Sequence, residues 1–397
     1  MDLDRQGWRR CLLSGAVFAV CMAGTTLPTP LYGLYQEKFG FSALMVTVVY
    51  AVYAFGVIGV LLLAGNASDA VGRRPVLLAG LGFAAVSAVC FLCADGMPWL
   101  YAGRLLSGLS AGLFTGAATA YVMELAPPGG ASRATLVATA ANMGGLGCGP
   151  LLAGVLSQYA SWPLYLPFVV HLVLVAGAAV VLLRLPETVR ERRPLSTVRP
   201  QRPALPPQVR AVFGPAAIAA FVGFALLGVF TSVSPAFLAQ SLDVHNRALS
   251  GLVVALAFFA STAGQSVVGR VGVQRSLPLG CAALLAGLAL LAGALWWDLL
   301  TLVVLSALVG GLGQGLAFRG ALSAVAGASP ADQRAAVIST LFLVAYTGIS
   351  LPVIGVGVLE GPLGLEGAGL VFIGCMAVLV LTAAGYLLRR PERAAAH

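Results

Sequence analysis

Apolar runs of about 20 residues recur along the whole chain, and no other feature narrows its fold so far. Wound as helix at 1.5 Å per residue, such a run crosses roughly 30 Å of hydrocarbon. Twelve can be placed, near 12–33, 46–67, 76–95, 99–123, 134–158, 164–184, 212–238, 249–268, 277–297, 300–326, 335–358 and 365–388. Their short connections leave no room for a soluble catalytic domain. With 59% hydrophobic and 9% charged residues, the chain matches no soluble globular class. The first run is too long for the apolar part of a secretory leader. It continues into Thr25-Thr-Leu-Pro28-Thr-Pro30-Leu-Tyr32, which predicts a retained helix.

The net charge of +9 invites a nucleic-acid partner, but its distribution excludes one. With the N-terminus inside, Arg5, Arg9, Arg10, Arg73, Arg74, Arg133, Arg270, Arg275, Arg334, Arg389, Arg390 and Arg393 all fall on the cytoplasmic side. Lys38 and Arg247 fall outside, and Arg104 and Arg319 lie within spans. This is the positive-inside pattern. It predicts a multi-pass protein of the cytoplasmic (inner) membrane with both termini cytoplasmic.

The hydrophilic stretch from Arg184 to Arg210, rich in proline and arginine, reads as a linker. The chain thus divides into an N-terminal six-helix bundle (1–188), a cytoplasmic linker (189–210) and a C-terminal six-helix bundle (211–397). The halves echo one another at an offset of about 200 residues. Asp69-Ala-Val-Gly72 answers to Gly269-Arg270-Val-Gly272. Gly108-Leu-Ser-Ala-Gly112 answers to Gly311-Leu-Gly-Gln-Gly315. Pro127 with Arg133 answers to Pro330 with Arg334, and Pro150 to Pro352. The expected class is therefore an all-α membrane protein with twelve transmembrane helices in two pseudo-symmetric bundles.

Several chemistries drop out. All seven cysteines lie in apolar spans, and Cys90-x-x-Cys93 has no second pair, so no metal site is expected. Gly108-Leu-Ser110-Ala-Gly112 matches a hydrolase nucleophile elbow but falls mid-helix, without the strand–turn–helix context that chemistry needs. No catalytic residues are assigned. The absence of G-x-x-x-x-G-K-(S/T) argues against direct ATP drive. His171, near one end of the sixth span, reads first as a packed helix histidine and second as a titrating group.

Between the second and third spans lies Gly65-Asn-Ala-Ser-Asp69-Ala-Val-Gly72-Arg73-Arg74. Charges and unpaired backbone cost several kcal/mol each in hydrocarbon, so this must be a tight loop at a membrane surface. It resembles the signature loop of the major facilitator superfamily, G-x-x-x-D-(R/K)-x-G-(R/K)-(R/K), with Ala70 where a basic residue is usual. Arg104-Leu-Leu-Ser107-Gly108-Leu-Ser-Ala-Gly112 resembles that family's second motif, R-x-x-(Q)-G-x-G-A-A. Gly145-Leu-Gly-Cys-Gly149-Pro150-Leu-Leu-Ala153-Gly154 resembles its antiporter motif, g-x-x-x-G-P-x-x-G-G.

The resemblance implies alternating access, and gating roles for Gly65, Asp69, Gly72, Arg73, Arg74, Glu124, Arg133, Gly149, Pro150 and Gly154. Asp69 would meet the N-terminus of the eleventh span near Arg334, and Glu124 would pair with Arg73 or Arg133. The family's cavity is lined by spans 1, 4, 7 and 10. That nominates Thr25, Thr26, Tyr32, Tyr35, Arg104, Ser107, Phe224, Phe230, Thr231, Ser234, Gln314 and Arg319 for substrate or proton. Through the antiporter-like span the expected function is export of a small amphipathic drug, toxin or metabolite by proton antiport. The alternatives are import, uniport or exchange of a small organic solute, an anion among them. The expected partners are a small-molecule substrate and the lipid bilayer, in a monomer without cofactor and driven by a proton gradient. None of the fourteen acids falls mid-span, which leaves the proton carrier open.

Overall fold

The structure is a computed structural model and describes residues 2–198 and 200–389; Arg390 and Arg393 lie outside the described residues. The described residues form helices joined by short turns, in the order α1 (Asp2–Thr26), α2 (Tyr32–Phe39), α3 (Ala43–Ala64), α4 (Ala67–Val71), α5 (Arg73–Leu92), α6 (Met97–Glu124), α7 (Ala131–Thr139), α8 (Gly145–Tyr159) and α9 (Leu166–Arg184). After the linker come α10 (Arg210–Ser232), α11 (Ser234–Gln240), α12 (Arg247–Val271), α13 (Val273–Trp297), α14 (Leu300–Ala328) and α15 (Arg334–Arg389).

Among the described residues eleven helical stretches are long and apolar enough to cross a membrane. The last, α15, has 56 residues, and Gly364 at φ 70° breaks it internally. At 1.5 Å per residue it measures about 84 Å, enough for two crossings of a roughly 30 Å core. The two final predicted spans are thus joined through a kink. Large apolar side chains also face outward, with Phe55 66%, Val173 67% and Val378 64% exposed. A helix apolar on every side needs lipid, not water, around it. The chain is an all-α multi-pass membrane protein.

The helices overrun the predicted spans. The first begins at Asp2 rather than near residue 12, because a helix continues into water wherever its backbone stays paired. The fifth span contains a wider turn at Ala140–Gly144 ahead of α8.

The chain forms two compact units, one of Met1–Phe39 with Val52–Gln201, the other of Gly40–Ala51 with Arg202–His397. Small residues set the closest helix crossings in each. In the first, a side chain at Gly108 would meet the Tyr53 carbonyl oxygen, and one at Gly112 would meet Val60. In the second, Gly311 and Gly315 lie against the backbone of Ala257 and Ser261 in the same way. The repeated glycine pairs thus let α6 cross α3 and α14 cross α12 backbone to backbone. Gly72 (φ 116°) and Gly272 (φ 87°) occupy backbone regions open to glycine, so both copies of the loop keep that residue.

Candidate functional site

The signature loop is built around Arg73. Gly72 turns the chain out of α4, and Arg73 opens α5. Its guanidinium binds Asp69 at 2.5 Å, Glu124 at 2.9 Å and the Ser68 hydroxyl at 2.7 Å. Asp69 is 64% exposed, so its pair with Arg73 adds little stability. Arg73 itself is 11% exposed and sits between both acids. Of the two partners considered for Glu124, the structure brings together Arg73; Arg133 is exposed, with no hydrogen bond or ion pair among the described residues. Gly65 packs against the Leu61 carbonyl and Gln201.

Sequence reasoning missed Glu187. Its carboxylate accepts the backbone N–H of Arg73 (3.0 Å), Arg74 (3.1 Å), Thr188 (2.9 Å) and Val189 (3.2 Å). Arg192 adds an ion pair at 3.4 Å. Glu187 therefore caps the N-terminus of α5, where the first N–H groups lack intrahelical partners. Burial pushes this carboxyl up, but the N–H bonds from Val189, Arg73, Arg74 and Thr188 outweigh it and hold the group below the usual carboxylate range. The start of the linker is thereby fastened, and Arg193 N–H (to Ala70 O, 2.7 Å) and Gln201 N–H (to Leu62 O, 2.7 Å) fasten the rest.

A carboxyl with a depressed folded-state value stabilises fully above its unfolded value, and the benefit disappears as pH falls through the folded one. Glu187→Gln should therefore lower the thermal midpoint at neutral pH by the equivalent of about 1 kcal/mol. The gap to the parent should close in acid. A gap equally wide at low pH would show that the carboxylate is not its source.

Arg104 is 2% exposed inside the first unit. Its Nη1 donates to the Thr25 carbonyl at 2.5 Å, and its guanidinium lies 4.8 Å from the Tyr53 ring centre. Thr25 is in the last turn of α1, which ends at Thr26 just before Pro28 and Pro30. The guanidinium thus meets the negative end of that helix and binds a carbonyl the helix has left open. The Thr25 hydroxyl donates to Met22 O, and Thr26 donates to Leu146 O on α8 at 2.6 Å. Tyr35 donates to Phe91 O, whereas the buried Tyr32 hydroxyl and Ser107 Oγ have no partner among the described residues.

The antiporter-like run is a packing face. A Cβ at Gly145 would meet Ala19 of α1, and one at Gly149 would meet Ala23 and Thr26. Pro150 lies within α8 and is buried with Gly154. Close approach to α1 accounts for these glycines without any reference to the direction of transport.

In the second unit the predicted residues separate into two groups. Phe224, Phe318, Phe342 and Tyr346 form a chain of edge and stacked contacts with centroids 5.0–6.4 Å apart. Beside Phe318 in sequence stands Arg319, half-buried and nine residues before the end of α14 at Ala328. Among the described residues Arg319 has no hydrogen bond and no ion pair. Five residues earlier the buried Gln314 accepts from Ser261, and its Nε2 has no partner among the described residues. In the other group Thr231 donates to Leu227 O, and Phe230 lines an apolar cavity with Ser234, whose Oγ has no partner among the described residues.

Comparisons with known proteins agree with this architecture. The profile described as Major Facilitator Superfamily matches residues 13–352. A curated relative, the puromycin resistance protein pur8 of Streptomyces alboniger, is 31% identical over 160 residues. That match takes in 40% of this chain and only 31% of the relative. A solved POT family transporter in complex with a thioalcohol-conjugated peptide superposes with TM-score 0.75 at 13% identity, over 98% of this chain and 96% of that one. A bacterial homologue of the human lysosomal transporter Spinster, inward-facing and unoccupied, gives 0.73 at 15% identity, over 97% and 98%. A mutant of the nucleoside transporter NupG gives 0.67 at 16% identity, over 95% and 98%.

These findings overturn the expectation of drug or metabolite export by proton antiport. The structures that match nearly end to end are a peptide-bound transporter, a Spinster homologue and a nucleoside transporter. The resistance relative covers less than half of the chain, and the glycine run that suggested antiport is explained by packing. From residue 13 to residue 352, across both units, the chain belongs to the major facilitator superfamily and is a transporter, not an enzyme.

Proposed function

We propose that the protein takes up a small organic anion across the cytoplasmic membrane by alternating access, driven by the proton gradient, with both termini cytoplasmic. The observation that carries this reading is Arg319. A cation held within a span with no hydrogen bond or ion pair among the described residues keeps its fork free for a carboxylate or phosphate, which is how an intramembrane arginine justifies its desolvation. The nearby aromatic chain from Phe224 to Tyr346 suits the organic part of such a solute.

The test is flux in proteoliposomes, with a panel of labelled small organic anions and an outside-acid gradient. Accumulation that collapses with a protonophore supports the reading. Flux that only equilibrates would assign uniport, and flux that requires solute on the opposite side would assign exchange; either outcome removes proton drive.

For the loop we propose a gating role centred on Asp69. Asp69→Asn should cut uptake at least tenfold while leaving yield and thermal midpoint unchanged, because an exposed pair of this kind adds about 0.2–1 kcal/mol. Normal uptake by that variant would remove Asp69 from gating.

A further inference from the structure

A cavity of about 10 Å³ lies inside the first unit, lined among others by Cys21, Thr25, Ser87, Ser107, Ser110 and His171. That volume takes one water. His171 is 2% exposed, and among the described residues its buried Nδ1 has no hydrogen-bond partner and neither has Ser107 Oγ. The remaining hydroxyls have committed their protons. Thr25 donates to Met22 O (2.8 Å), Ser87 to Gly103 O (2.7 Å) and Ser110 to Gly80 O (2.8 Å). With the Ser110 proton spent, the 3.2 Å contact to Cys21 has the thiol as donor. What faces the cavity is therefore mostly oxygen lone pairs, which call for a donor: a water, or the second N–H of a charged imidazole.

The charged and titratable surroundings favour the same guest. Among the described residues that line the cavity only Cys21, on α1, and His171, on α9, can titrate; α5 and α8 contribute none, and none of these residues is a carboxylate. On α6, Arg104 lies one turn before Ser107, with its guanidinium on the Thr25 carbonyl. Gly24 and Thr25 belong to the last turn of α1, whose negative end attracts a cation. A Cβ at Gly24 would overlap the His171 ring, so that glycine makes the ring's place. The second unit supplies a comparison. About 200 residues after Phe168 and His171 stand Gly369 and Phe372, and both line an apolar cavity of about 30 Å³. Helix packing at this position does not require a histidine.

We propose that the cavity is a proton-binding site in which one water, held between the His171 ring and Ser107, delivers a proton to the imidazole. The step is proton transfer alone. Hydronium reaching the pocket gives its proton to the lone pair of the neutral ring and leaves water behind. The charged ring then shares the end of α1 with the permanently charged Arg104, so charging the ring weakens the hold on the guanidinium. That coupling role rests on the proton-driven uptake proposed above; proton binding itself does not.

The experiment uses the full-length protein in lipid nanodiscs, labelled with 15N-histidine. The chain has three histidines, so His245→Gln and His397→Gln leave His171 as the single ring signal. Between about pH 8 and about pH 4 the ring should pass from one protonated nitrogen to two, with a water cross-peak that Ser107→Ala abolishes. A ring that stays neutral throughout and shows no water contact overturns the site. Uptake by His171→Gln that loses its pH dependence supports coupling, and an unchanged pH profile overturns it. A ring that titrates in a protein moving no anion would sink the uptake reading and leave this site standing.

Discussion

Arg319→Ala is expected to raise the concentration of anion needed for half-maximal uptake by about 100-fold, the equivalent of one lost charge-assisted fork at about 2.7 kcal/mol. Arg319→Lys should fall between, because it keeps the charge but not the two parallel donors. The same Arg319→Ala protein should melt no lower than the parent. The arginine is half-buried without a hydrogen bond or ion pair among the described residues, so its removal lifts a desolvation cost and breaks no bond. A structural arginine would give the opposite pair of results, lower stability with unchanged affinity. Measuring uptake kinetics and thermal midpoint on one preparation separates the two roles.

The second large effect lies in the first unit and concerns folding. Gly108→Val would drive a branched side chain into the Tyr53 carbonyl, where backbone and not a movable side chain lies in the way. The α3–α6 crossing would have to open, at a cost of about 3 kcal/mol or more. The expected outcome is little or no monodisperse protein in detergent. Gly116, two turns further along α6, meets nothing within 4 Å, so Gly116→Ala should be neutral or gain a few tenths of a kcal/mol in helix propensity. Equal behaviour of the two variants would show that the crossing is looser than its geometry.

These contrasts also explain what was legible in the sequence. The spans could be read because a hydrocarbon-crossing helix is a local property, written in consecutive residues. The glycine pairs at 108/112 and 311/315 were visible as a repeat, and the structure supplies their reason in two equivalent crossings. Charges at neighbouring helix ends nominated Arg73 or Arg133 as the partner of Glu124, and the structure selects Arg73. Glu187 did not follow, since its acceptor role is defined by amides 113 and 114 residues away. Arg104 was recognisable as a buried cation, but a backbone carbonyl such as that of Thr25 leaves no trace in residue type. The direction of transport was misread for a related reason. A Gly–Pro run that lets α8 close on α1 looks the same whichever way a solute travels.

The Glu187 cap also carries a consequence for biogenesis. Helix α5 is threaded early, yet the carboxylate that completes its first turn emerges from the ribosome only after α9. Until then its leading amides must rely on water or lipid headgroups. Arrival of Leu185-Pro186-Glu187 closes the first unit after its last helix, much as a buckle is fastened after the strap is drawn. Nascent chains halted before residue 187 should therefore keep a protease-sensitive loop at Gly72, and chains a few dozen residues longer should lose it.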